Sequence, residues 1–104
     1  MQIFREDGTF LCNAVLADGI KRNIGLMFRR RLKKDEGLLL RLSSAYIHSF
    51  FVFFNFHAIF LDKDFKVVEE FIMKPFRITK VDAEWVLELM PGKNVKTGEK
   101  LIIR

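Results

Sequence analysis

Apolar positions in this chain come in short runs divided by polar turns, and one stretch alone carries the spacing of a helix. In QIFREDGTFLCNAVLA, Asp7 and Gly8 lie between two apolar arms. That dipeptide accepts the positive φ angles of a tight turn, so residues 2–17 are expected to form a β-hairpin. In its second arm Phe10, Cys12, Ala14 and Leu16 share one face, with Leu11 and Val15 opposite. The next segment, DGIKRNIGLMFRRRL, repeats Ile20, Ile24, Met27 and Phe28 at the spacing that gathers them on one side of a helix. Asp18 can cap this helix by accepting from the amides of its first turn. Arg29, Arg30 and Arg31 complement its C-terminus, giving one helix of about three turns.

Beyond the polar turn KKDEG, the runs LLLRL, HSFFVFF and AIFLD are too short for helices and rich in strand formers. Residues 48–61 are accordingly expected as two adjacent central strands turning near 55–57, with the phenylalanines buried between His48 and His57. KVVEEFIM follows as a further strand; Glu69 and Glu70 break its alternation and imply a bend or bulge, and Pro75 ends it. In EWVLELM, Trp85, Leu87 and Leu89 alternate with Glu84 and Glu88, the pattern of a strand with one wet face. The terminal LIIR closes the set. The sum is a mainly β domain of about eight strands and one short helix, arranged as a β-sandwich, a jelly-roll-like fold or a small barrel.

Length and composition fit that picture. A chain of 104 residues makes one domain, residues 1–104, with enough interior to fold without metal or disulfide. Its twelve Phe outnumber one Tyr and one Trp, and rings without a polar tip read first as core. Phe65 and Phe71 are the candidates for an exposed apolar surface. Cys12 has no partner for a disulfide, and neither histidine stands at zinc-ligand spacing from a thiolate, so no metal and no other cofactor is expected. The opening residues lack the apolar stretch of an export signal, and the run 48–61 is too short and too interrupted to span a bilayer. A cytoplasmic protein that does not enter membranes is the expectation. Net charge is +5, which favours anionic partners without specifying one.

Several stretches together resemble the DUF192 family of small proteins: GLMFRRRLKKDEGLLL, HSFFVFFNFHAIFLDKDFKVVE, KPF, and VLELMPG followed by KTGEKL. The similarity runs from about Ala17 to the C-terminus in the family's order. It implies a compact, mostly β domain of sandwich or jelly-roll type and no settled activity. Arg29 matches the family's arginine, and Asp35, Glu36 and Gly37 match its DEG. Where the family usually has Pro, an aliphatic residue and Asp, this chain has Asn55, Phe56 and His57, which alters the charge at that point.

Three functional readings follow. Ranked first is a ligand- or partner-binding module without catalytic activity, in which Arg29, Asp35, Glu36, Asn55 and His57 meet a small molecule or protein. The second is a small hydrolase-like enzyme using His57, Arg29 and Asp35 at a surface cleft. Ser43, Ser44, Ser49, Thr79, Cys12 and Asp62 are nucleophiles by type, yet no nucleophile elbow or metal motif surrounds them. The third is nucleic-acid binding through a basic patch of Arg29, Arg30, Arg31, Lys33 and Lys34. Exposed aromatics would have to accompany that patch, and Phe-rich strands supply them only where they face water. A monomer or weak homo-oligomer is expected.

Overall fold

Asp7 and Gly8 turn the chain as their residue types dictate: Gly8 sits at φ 89°, and Asp7 accepts from both the amide and the hydroxyl of Thr9. The computed structural model describes residues 1–17, 32–42 and 46–104. The turn joins β1 (Gln2–Phe4) to β2 (Phe10–Ala17). Pairing runs from Ile3 opposite Cys12 to Phe4 opposite Phe10, so Leu11 is an extra residue in a bulge. The bulge breaks the predicted alternation of this arm. Leu11 and Cys12 are both buried, whereas Phe10 and Leu16 are exposed.

Seven strands form one sheet in the order β6 (Val67–Met73), β5 (Phe56–Leu61), β8 (Trp85–Leu89), β3 (Glu36–Arg41), β2, β1, β9 (Ile102–Ile103). All neighbours are antiparallel except β2 and β3. A parallel pair needs a crossover, and the helix predicted from Asp18 to Arg31 falls in that connection, at residues outside those described. The sheet curls into a half-barrel whose edges meet at one end. The Val67 amide donates to the Glu99 carbonyl, the Leu101 amide donates to the Phe65 carbonyl, and Lys66 bridges Lys100. β4 (Tyr46–His48) and β7 (Ile78–Lys80) make a separate antiparallel pair. The predicted mainly β architecture therefore holds, with nine strands among the described residues.

Curling gives the sheet an inner and an outer face, and the pleat sends alternate residues to each. Ile59, Leu61, Leu39, Leu87, Leu89, Cys12 and Ala14 fill the inside with Ile3, Val95 and Leu101. Ala58, Phe60, Phe56, Leu38, Leu40 and Val86 form the outer cluster, packed with Ile47, Val52 and Val81. β5 is buried along its whole length because it lies between β6 and β8 and is covered on both faces. The break expected at Glu69 and Glu70 is a bulge one residue earlier, at Val68, since Phe60 faces Glu69 and Leu61 faces Val67. β6 ends at Met73, two residues before Pro75.

The expectation for residues 48–61 is corrected in its first half. Residues 49–55 are loop, and Phe50, Phe51 and Phe53 are 41%, 47% and 60% exposed. Within that loop Ser49 and Val52 are buried, while Phe54 is partly buried against the outer cluster. His48 closes the small sheet and His57 lies in the large one, so the two histidines belong to different sheets. Phe65 and Phe71 prove half-buried against Trp85 and Phe60.

Candidate functional site

Ser49 organises the most unusual surface of the molecule. It is fully buried; its hydroxyl donates to the Lys74 carbonyl and accepts from the Arg77 amide at 2.8 Å. Its backbone carbonyl accepts from Phe76 and its amide donates to the Arg77 carbonyl. One serine thus clasps the turn 74–77 to the loop 49–52. This role occupies a side chain that ranked among the nucleophiles by type alone.

The clasp brings three phenylalanines together at the surface, with a fourth, Phe50, beside them in sequence. Phe51 and Phe53 each meet Phe76 edge to face, with ring centroids 6.1 and 5.6 Å apart. Phe50 stacks on His48 at 5.3 Å with planes 24° apart. Phe51 and Phe76 hold φ at 61° and 57°, the left-handed region that a bulky residue occupies at a cost of ~1–3 kcal/mol. The Phe50–His48 stack leads to one face of the β4–β7 pair, where Tyr46 opposes Lys80 and His48 opposes Ile78. Tyr46 and Ile78 are 56% and 60% exposed, whereas Ile47, on the other face, is buried. Lys74, Arg77 and Lys80 punctuate this surface and are exposed. Neither residues 42–61 nor residues 71–81 contain an acidic side chain.

The residues expected to bind ligand do not converge here. Arg29 lies outside the described residues, as do Arg30 and Arg31 of the basic patch. Asp35 is exposed and pairs with Lys93 at 3.0 Å. The Glu36 carboxylate accepts from the Lys33 amide at 3.0 Å. Lys33, Lys34 and Lys93 line a cavity of about 750 Å³ with Leu32, Met90, Pro91 and Gly92. Asn55 is exposed just before β5. His57 is buried and faces the barrel interior, with Nε2 2.6 Å from Glu70 Oε2 and Nδ1 without a partner among the described residues. Asp35 and His57 are therefore held by different partners on different elements. Among the described residues, no three His, Cys, Asp or Glu side chains are grouped to hold a metal ion.

Two buried titratable groups complete the inventory. Burial is the main cause that pushes the Cys12 thiol up to about 11, which suppresses the thiolate at neutral pH. Glu88, expected on a wet face, is instead 5% exposed between Leu38 and Ala58, its neighbours on the outer face. Burial alone pushes its carboxyl up to about 8. The alternation of β8 pointed to a solvated Glu88, but a central strand covered on both sides has no wet face.

The fold and surface together define a curled β half-barrel carrying a small second sheet. The DUF192 family model, described as an uncharacterized ACR, matches residues 3–103, and the chain belongs to that family. UPF0127 protein PH1112 of Pyrococcus horikoshii is 38% identical over 76 residues, an alignment spanning 66% of this chain and 64% of that protein. A Sinorhizobium meliloti protein whose assignment as a transcription regulator is provisional has the same fold, with TM-score 0.81, 22% identity and coverage of 97% and 89% of the two chains. A protein of unknown function from Novosphingobium aromaticivorans superposes with TM-score 0.80 and 21% identity, covering 98% and 82%. Among the described residues no helix is long and apolar enough to cross a membrane.

Proposed function

We propose that this chain is a binding module whose contact surface is the aromatic rim formed by residues 46–53 and 74–80. The observation that carries this reading is the exposure of Tyr46, Phe50, Phe51, Phe53, Phe76 and Ile78, on segments joined by the Phe51–Phe76 and Phe53–Phe76 ring contacts and by the β4–β7 pairing. Large contiguous apolar surface in water is unfavourable and marks interaction sites in soluble proteins. Here it is maintained against backbone strain at Phe51 and Phe76, and Ser49 fixes its geometry before any partner arrives. Preorganised aromatic side chains lose little entropy on contact, which makes them effective anchors.

A second reading rests on the cavity edged by Lys33, Lys34 and Lys93, which has the volume and the charge to take a small anionic ligand. One titration separates the two. The anionic aromatic dye bis-ANS should fluoresce with the native protein and lose that response in the triple variant Phe51→Ser, Phe53→Ser, Phe76→Ser. The circular dichroism spectrum and melting cooperativity of the variant should be unchanged. A dye response that survives the triple variant and disappears with Lys33→Ala and Lys93→Ala would overturn the rim in favour of the cavity.

A further inference from the structure

The aromatic rim carries charge of one sign in a particular arrangement. Along residues 74–80 cations and apolar side chains interleave: Lys74, Phe76, Arg77, Ile78, Lys80. Lys74, Arg77 and Lys80 take part in no ion pair among the described residues. At about 3.3 Å per residue of extended chain, the three cations span at most ~20 Å. Across β4 and β7 the same mixing recurs, with Tyr46 beside Lys80 and the stacked His48 and Phe50 beside Ile78. A partner that fits must present negative charges and flat apolar faces side by side.

From this arrangement we infer that the rim binds single-stranded nucleic acid, its phosphates against Lys74, Arg77 and Lys80 and its unpaired bases stacked on the exposed rings. The inference rests on the rim being the contact surface and names its partner. Stacking is tolerant of base identity because every base has a π face, and a basic track beside aromatic platforms is the general device of such binders. A duplex offers the phosphates but hides the base faces, so it satisfies half of the surface. An anionic bilayer is the competing partner. Insertion into lipid draws on apolar bulk and not on ring planarity, and it leaves cations around an apolar tip. Here Phe76 stands between Lys74 and Arg77, Tyr46 lies opposite Lys80, and His48 and Phe50 already lie ring on ring. The third-ranked reading of the sequence places nucleic-acid binding at the basic tract 29–34, which lies partly outside the described residues; residues 46–53 and 74–80 offer exposed rings and cations in neighbouring segments.

Fluorescence anisotropy with a labelled oligothymidylate tests the inference. Each phosphate neutralised on a single strand contributes a slope of about −0.7 to log K against log salt. Three contacts then predict roughly 20-fold weaker binding between about 50 and 200 mM salt. Replacing Phe50, Phe51, Phe53 and Phe76 by Leu keeps the surface apolar and removes the π faces. Affinity should fall about 10-fold or more with the salt slope retained, as stacking is lost. Replacing Lys74, Arg77 and Lys80 by Ala should flatten the slope, and a duplex of equal length should compete poorly.

Oligonucleotide binding that ignores both sets of substitutions would overturn the inference by placing the strand elsewhere. Absence of oligonucleotide binding would overturn it too. If bis-ANS still binds the rim, and vesicles of phosphatidylserine and phosphatidylcholine bind native and Leu variants alike, the rim stands as a lipid contact. If the dye fails as well, the rim reading falls with it.

Discussion

Substituting Glu88 by Gln removes a buried charge site while keeping shape and hydrogen-bonding capacity. The carboxyl is raised from 4.5 to about 8 by burial, so the folded state holds a proton that the unfolded state releases. A group raised in this way stabilises fully below its unfolded value, and the contribution is lost as pH rises toward the folded one. Across about pH 5 to 9 the native protein should lose roughly 4 kcal/mol relative to the variant, more than half of it by pH 7. Full ionisation in place approaches ~5 kcal/mol, in the range measured for an uncompensated charge in apolar surroundings. Urea denaturation of both proteins at a series of pH values in this interval gives the difference directly. Groups common to both cancel, among them Asp7, Asp62 and Glu99, which are held below the ordinary carboxylate range. Parallel stability profiles for native and Glu88→Gln would refute the reasoning, since they would mean that water or a cation already solvates the carboxylate.

Two further predictions test the interior. In Gly37→Ala the new methyl would lie 2.8 Å from Cys12 Sγ and 2.9 Å from Leu89 Cδ2. The expected loss is ~1–3 kcal/mol by chemical denaturation, partly recovered when Cys12→Ala is added; strict additivity would show that the two sites do not touch. Cys12 itself should resist a thiol-specific disulfide reagent at mildly alkaline pH until denaturant is added, because its thiol is buried and pushed up to about 11. Rapid labelling of the native protein would contradict that burial.

Much of the fold was legible where local pattern and tertiary position agree. The Asp7 and Gly8 turn, the strands at β5, β6 and β8, and the break at Pro75 follow from residue type and period. What the pattern could not deliver depends on what covers a strand. Phe50, Phe51 and Phe53 sit in a continuous apolar run, and period alone cannot say whether such a run lies inside a sheet or across its surface. The signals that could have separated the cases were weak ones. His48 and Ser49 open the run, Asn55 closes it, and no acidic residue appears in either segment that forms the rim. Glu88 failed for the opposite reason, since its alternation was clean and the strand was nonetheless central. β4 and β7 span three residues each, below the length at which alternation carries information.

The candidate site was less legible still, because its geometry is assembled by a contact remote in sequence. Ser49 reaches Lys74 and Arg77 across more than twenty positions, and no local rule assigns a serine that task. The same arrangement bears on self-association. A closed dimer built on this surface pairs the patch with itself, which would set Lys74, Arg77 and Lys80 against their own copies. Like charges across a contact oppose binding, and the repulsion deepens where the rings come closest and exclude water. An extended anion meets the same cations with opposite sign and leaves the rings accessible. On the proposed reading, the charge that opposes pairing of this surface with itself is also the charge that would favour a polyanionic partner.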